Sequence, residues 1–240
     1  MTRLDVLITK SGLAESRERA QALIIAGKVR VAGETVRRPD RPVAEGTPIT
    51  VEATPGYASR GALKLAPALE HFGVDPAGRI CADIGASTGG FTDVLLRRGA
   101  ARVYALDVGR GLLHWRLRQD PRVVVIERVN ARDMERFPEA VSLVVIDVSF
   151  IGLEKVLPAV GRAAPAAEMI ALFKPQFQVE RGSVGKGGIV RDEAAVEKAM
   201  DVFRRWCEAN GFTVPGQAQS ELAGTDGNQE IFVHLVPSPG

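Results

Sequence analysis

Apolar positions along the 240-residue chain change their period near residue 53. Upstream the pattern is short and local. Leu4, Val6, Leu7 and Ile8 precede Gly12, and Ala20, Leu23 and Ile24 recur at helical spacing before Gly27. These predict two short helices. Ser16 is placed to cap the second, Glu18 falls in its first turn, and Gly27 ends it. Val29 and Val31 alternate with Lys28 and Arg30, a half-buried strand; Gly33-Glu34 turns the chain, and Pro48–Val51 predicts a last strand. Ala53-Thr54-Pro55-Gly56 then reads as a break between two domains.

Downstream the apolar runs are strand-sized: Ile80–Ile84, Val103–Leu106, Val123–Ile126, Leu143–Ile146 and Ile170–Phe173. Helical spacing fills most of the gaps, including 89–98 and 153–163. Such alternation predicts an α/β fold with a doubly wound, mainly parallel sheet. Residues 192–209 form an amphipathic helix with Val196, Met200 and Phe203 on one face. Phe212–Ser220 and Glu230–Val236 predict a closing hairpin.

Composition narrows the class. Charged residues make up 25% and hydrophobic residues 45% of the chain, which suits a globular protein and not a disordered one. The net charge is +2, and all of it falls in residues 1–52, which hold nine basic and seven acidic side chains. That bias points to an anionic partner at this end. Two cysteines, Cys81 and Cys207, cannot build a disulfide scaffold or a four-cysteine zinc site, and they read as reduced, buried thiols. No apolar run approaches the ~20 residues that span a bilayer. The start, MTRLDVLITKSGL, lacks the core of a signal peptide. A cytoplasmic location is expected, and no metal site is read.

Candidate chemistry gathers at strand ends. Asp83-Ile84-Gly85-Ala86-Ser87-Thr88-Gly89-Gly90 follows the first sheet strand, where a glycine-rich turn lets a ligand approach the backbone. Its DxGxxxG spacing is neither the GxGxxG of a dinucleotide fold nor a P-loop. It resembles the first motif of class I S-adenosylmethionine-dependent methyltransferases. Asp107 ends the second strand, where a carboxylate can grip a ribose diol. Asp147 and Lys174 end the fourth and fifth strands, Lys64 lies on the helix entering the sheet domain, and Glu230 starts the last strand. Open α/β sheets bind ligands at these carboxyl ends.

The resemblance becomes specific when the stretches are taken together. SRGALKL, DIGASTGGFTD, ALDVGRG, VNARD, DVSFI, LFKPQF, GKGGIVRD and GNQE, spread over residues 57–237, are similar to the TlyA (hemolysin A) family of ribosomal RNA methyltransferases. Ser16–Ala20 and Gly27–Gly33 resemble an S4-type RNA-binding domain. The resemblance implies an S4-like α+β domain over 1–52, a linker over 53–56, and a Rossmann-like FtsJ-type methyltransferase domain over 57–240. It implies S-adenosylmethionine held by Asp83, Gly85, Ser87, Gly89, Gly90, Asp107 and Asn130. It also implies RNA contacts from Arg17, Arg19, Lys28, Arg30 and Arg60. A Lys-Asp-Lys-Glu tetrad falls on Lys64, Asp147, Lys174 and Glu230. The acceptor would be a ribose 2′-hydroxyl of ribosomal RNA, on cytidine. The short ends of the chain resemble the members that act on the large subunit.

A ribose hydroxyl attacks a sulfonium methyl only once its proton is taken. A lysine can take it only when neutral, and desolvation with a second cation nearby favours that form. Lys174 is the candidate base and Lys64 the second cation, with Asp147 and Glu230 orienting them; which lysine is the base stays open from sequence. The family pattern is broken at Leu112, where glutamine is common, and at Gln178, where glutamate is common. The glycine-rich, basic loop 181–188 reads either as ordering on RNA or as mobile. Three other functions compete: a non-catalytic RNA-binding or ribosome-assembly factor, against which the intact tetrad argues; a membrane-active hemolysin, which no spanning or amphipathic segment supports; and an NAD-dependent oxidoreductase, which cofactor binding would discriminate.

Overall fold

The computed structural model describes residues 1–14, 16–25, 27–51, 56–224 and 226–238, without the side chains of Arg19, Ala22 and Arg181. The linker residues 53–55 lie outside the described residues. The chain divides into two compact units, Met1–Gly56 and Tyr57–Gly240.

The smaller unit runs β1 (Thr2–Arg3), α1 (Leu4–Lys10), α2 (Arg17–Ile25), β2 (Val29–Val31), β3 (Glu34–Val36), β4 (Pro42–Val43) and β5 (Ile49–Val51). Strands β3-β2-β5 form an antiparallel sheet, and β1 pairs with β4. Leu4, Ile8, Ala20, Ile24, Val29, Val31, Val36 and Val43 make its core. Ser16 stands at the N-cap position of α2. At the other end Gly27 takes φ +72° and its N–H bonds Ile24 O, while Lys28 N–H bonds Leu23 O, a left-handed close that glycine accommodates without strain. The strand β3 was not legible, because three residues carry too short an alternation to register.

The larger unit runs α3 (Ala62–Phe72), β6 (Ile80–Ile84), α4 (Gly90–Arg97), β7 (Arg102–Asp107), α5 (Trp115–Arg118), β8 (Val123–Glu127), β9 (Leu143–Ile146), α6 (Leu157–Ala163), β10 (Glu168–Phe173), α7 (Glu193–Ala209), β11 (Phe212–Gln219) and β12 (Ile231–Pro237). Its sheet has the order β11-β12-β10-β9-β6-β7-β8. β12 is antiparallel to both neighbours, and the other pairs are parallel. The chain winds outward from β6 through β7 to β8, then returns to β9 on the other side of β6. The order therefore reverses between β6 and β9, where such sheets form their ligand crevice.

One face of the sheet is packed with Ile146, Leu157, Val160, Phe173, Met200 and Phe203. The other is packed with Leu65, Leu69, Leu95, Val145, Leu172 and Phe232. The expected helix 153–163 is broken. A 3₁₀ turn, Leu153–Lys155, precedes α6, and Pro158, whose ring nitrogen donates nothing, sits in the helix's first turn. Helix α7 starts one residue later than expected because Asp192 caps it, its side chain accepting from Ala195 N at 3.1 Å. Glu230 immediately precedes β12, its backbone oxygen accepting from Ser220 N at 2.9 Å.

Candidate active site

Strand β6 delivers the chain into the glycine-rich turn. Gly85 takes φ +86°, and its N–H and that of Ala86 both donate to Leu106 O, at 2.9 and 3.0 Å. A Cβ on Gly85 would collide with the backbone oxygen of Asp147 on the neighbouring strand, so this position excludes every side chain. Ser87 also takes a positive φ, +48°. Its N–H donates to Asp107 Oδ2 at 2.8 Å, and Gly109 N–H donates to Asp107 Oδ1 at 2.7 Å. The end of β7 is thereby locked to the turn. At Gly90 a Cβ would meet Ser59 Oγ and Ala62 N, so the start of α4 lies directly against the start of α3.

Beneath the turn lies Asp83, fully buried. One carboxylate oxygen accepts from Thr92 N and Oγ1 at 2.8 and 2.7 Å; the other, Oδ1, has no protein partner among the described residues. Burial, reinforced by the carboxylates of Asp147 and Asp107, pushes its pKa up to about 7 against the pull of the Thr92 bonds.

Two cavities open at this end of the sheet. The larger, about 900 Å³, is lined by Gly85, Ser87, Asp107 and Asn130, with Val108, Leu112 and Phe150 among its apolar walls. Asn130 caps a short 3₁₀ turn, its Oδ1 accepting from Arg132 N, which leaves its amide N–H groups to offer a ligand. The smaller, about 460 Å³, is lined by Arg60, Lys64, Asp83, Thr88 and Gly90. Gly85, Ser87 and Asp147 border both.

The four tetrad residues fall into two ion pairs. Lys64 Nζ donates to Glu230 Oε2 at 2.5 Å across 166 residues of sequence. Lys174 Nζ lies 2.6 Å from Asp147 Oδ1. That approach is off hydrogen-bond direction, and the ammonium donates instead to Ser149 Oγ at 2.9 Å. Glu230 and Lys174 are buried at 2% and 9% exposure. Gly224 closes over Glu230, where a Cβ would stand 2.6 Å from Oε1.

Sequence reasoning missed Asn228 of GNQE. It is buried, accepts from Val190 N at 2.8 Å and donates to Gly188 O at 2.9 Å. The loop left open between two readings is thus tied at its C-terminal end to the entry of β12. Gln178 also finds a reason: its amide can donate to Glu154 Oε2 at 2.9 Å and accept from Leu153 N at 3.1 Å, where glutamate would set two carboxylates together. Leu112 is half exposed on the wall of the larger cavity.

Of the basic residues expected on RNA, Arg30 projects from the exposed side of β2 and Arg60 is exposed before α3. Lys28 precedes β2, half-buried. Arg19 lies in α2, but its side chain is outside those described. Arg17 has a structural task as well, because its Nε donates to the fully buried Asp5 at 3.0 Å, beside Arg3 and Gln21. The Arg3 guanidinium, with help from Gln21 and Arg17, holds the Asp5 carboxyl well below the usual carboxylate range. Half of the Arg17 side chain stays exposed. Both cysteines are free and buried, and burial pushes each thiol up to about 12.

Comparison with known proteins places this geometry. The FtsJ-like methyltransferase model matches residues 57–236, and the S4 domain model matches residues 2–49. The chain is 48% identical to the 16S/23S rRNA (cytidine-2′-O)-methyltransferase TlyA of Mycobacterium tuberculosis, over 97% of this chain and 89% of the relative. It is 42% identical to Hemolysin A of Brachyspira hyodysenteriae, over 98% and 99%. A candidate hemolysin from Streptococcus thermophilus superposes with a TM-score of 0.75 at 41% identity, over 99% of this chain and 89% of that one. Among the described residues no helix is long and apolar enough to cross a membrane. With the glycine-rich turn, the strand-end acids and an S4 domain on one chain, the protein belongs to the TlyA family of FtsJ-like methyltransferases.

Proposed function

We propose that this protein transfers a methyl group from S-adenosylmethionine to a cytidine 2′-hydroxyl of ribosomal RNA, in the cytoplasm. Large-subunit RNA is the favoured target, since 23S stands in the name of the M. tuberculosis relative beside 16S and alone in that of a Campylobacter jejuni relative 37% identical over 75% of this chain. The observation that carries the reading is the sharing of Gly85, Ser87 and Asp147 by two cavities, one for a methyl donor and one for an acceptor. The larger suits the donor. It has room for a nucleoside, a turn where no side chain fits at Gly85, and Asp107 at the strand end to accept from a ribose diol. Asp83, Gly89 and Gly90 shape that turn, and Asn130 offers its amide to the adenine.

When bound, S-adenosylmethionine supplies an electrophilic methyl group on a sulfonium. The protein's own residues prepare the acceptor. Lys174 takes the 2′-hydroxyl proton on Nζ, and Asp147, which borders both cavities, pairs with that lysine. Lys64, held by Glu230, sets positive charge beside the developing 2′-oxyanion. Arg17, Arg19, Lys28 and Arg30 of the S4 domain, with Arg60, grip phosphates and position the RNA without reading its bases. Lys174→Ala abolishes single-turnover methylation of ribosomal RNA, and Lys174→Arg, which stays charged near neutral pH, is equally inactive. The wild-type rate rises with pH. Robust turnover by Lys174→Arg overturns the assignment of the base.

A further inference from the structure

Lys64 sits on the third residue of α3, and the backbone bonds of that first turn run back to Ser59, Arg60 and Gly61 in the segment before the helix. Gly61 precedes the helix and offers no side-chain cap. That leading segment, Tyr57–Gly61, is in turn held by a residue of α4. Asp93, only 4% exposed, accepts from Ala58 N at 2.8 Å through Oδ2. Two arginines complete its shell: Arg97 Nε donates to Oδ1 at 2.9 Å, and Arg116 Nη2 donates to Oδ2 at 3.0 Å. Arg97 also lies over the Tyr57 ring, 4.7 Å from its centroid. One turn N-terminal to Asp93, Gly90 allows the contact with Ser59 and Ala62 that a side chain would prevent. The helix that begins at the glycine-rich turn therefore carries the anchor for the segment that delivers Lys64.

We propose that Asp93 is a positioning residue for the methyl transfer: by holding the Ala58 backbone on α4 it fixes Lys64 relative to the glycine-rich turn. This rests on the reading of Lys64 given above. Two arginines pair with the nearly buried carboxylate without satisfying the Ala58 N–H, so the backbone bond is a separate task of the same side chain. Losing it frees the segment to shift while leaving the walls of the larger cavity, Asp107 and Asn130 among them, untouched.

The test is single-turnover methylation of ribosomal RNA at saturating RNA and cofactor, with rates divided by the number of cofactor-binding sites titrated calorimetrically. Asp93→Ala is expected to lose about thirtyfold or more in rate per site, with cofactor and RNA affinities within about threefold of wild type. Asp93→Asn keeps the shape and one carbonyl acceptor, and is expected to recover part of the rate; it also serves if the alanine variant does not fold. Arg116→Ala removes an ion-pair partner but not the Ala58 bond, and stays near the wild-type rate. Wild-type rates per site in both Asp93 variants, or an equal loss in Arg116→Ala, overturn the proposal. If Lys64→Ala keeps the wild-type rate, or wild type transfers no methyl, it is the reading of the site that fails.

Discussion

Replacing Asp83 by asparagine removes a titrating charge from the interior of the sheet and keeps the shape of the side chain. In the folded protein the Asp83 carboxyl has a pKa of about 7, against about 4 in an unfolded chain. Below about pH 4 the carboxyl is protonated in both states and titration contributes nothing. Between about pH 4 and about pH 7 the unfolded chain releases the proton while the folded chain keeps it, so stability falls as pH rises. Above about pH 7 the loss is complete and the curve flattens. Three units at about 1.4 kcal/mol each make the total roughly 4 kcal/mol. Asparagine does not titrate, and its carbonyl can still accept from Thr92 N and Oγ1. Its amide nitrogen takes the place of the unpartnered Oδ1, a cost independent of pH. The stability difference between variant and wild type should therefore move in the variant's favour by roughly 3 kcal/mol between about pH 4.5 and about pH 8. Urea unfolding without cofactor measures it, and tryptophan fluorescence reports on the right unit, since Trp115 and Trp206 both lie in Tyr57–Gly240. A difference that does not change with pH, or moves the other way, refutes the account of Asp83.

Asp107→Ala removes a carboxylate that can accept charge-assisted bonds from a ribose, a loss of about 1.5–3 kcal/mol; calorimetry should show S-adenosylmethionine affinity falling roughly 10- to 150-fold, and unchanged affinity contradicts its placement. Cys81 and Cys207, with thiols pushed up to about 12 by burial, should resist Ellman's reagent at about pH 8 and react at once in denaturant; rapid labelling of the native protein contradicts their burial.

The parts of the fold that sequence exposes are those with a strong local cause. Runs such as Leu143–Ile146 are buried on both faces and leave an unbroken apolar signature. Gly85 is legible because backbone approaches it too closely for any side chain. Other features depend on partners distant in sequence. The pairing of Lys64 with Glu230 joins residues 166 apart, so spacing can nominate both but cannot pair them. Asn228 gives no local signal within GNQE, and its two bonds to residues 188 and 190 appear only once β12 is docked. Asp5, in the first turn of α1, carries no local sign of burial, yet it is buried and draws in Arg17, which sequence assigned to RNA alone. Short elements such as β3 and α5 lie below the length at which periodicity is informative.

The central claim is that this chain methylates a ribose of ribosomal RNA. Purified wild-type protein and Lys174→Ala are incubated with isolated large and small ribosomal subunits and S-adenosylmethionine carrying a labelled methyl group, and the RNA is digested and read by mass spectrometry. The account predicts a labelled 2′-O-methylcytidine in large-subunit RNA with wild type and none with Lys174→Ala. Label on a base instead of a ribose, or no label on either subunit from protein that binds the cofactor, would contradict it.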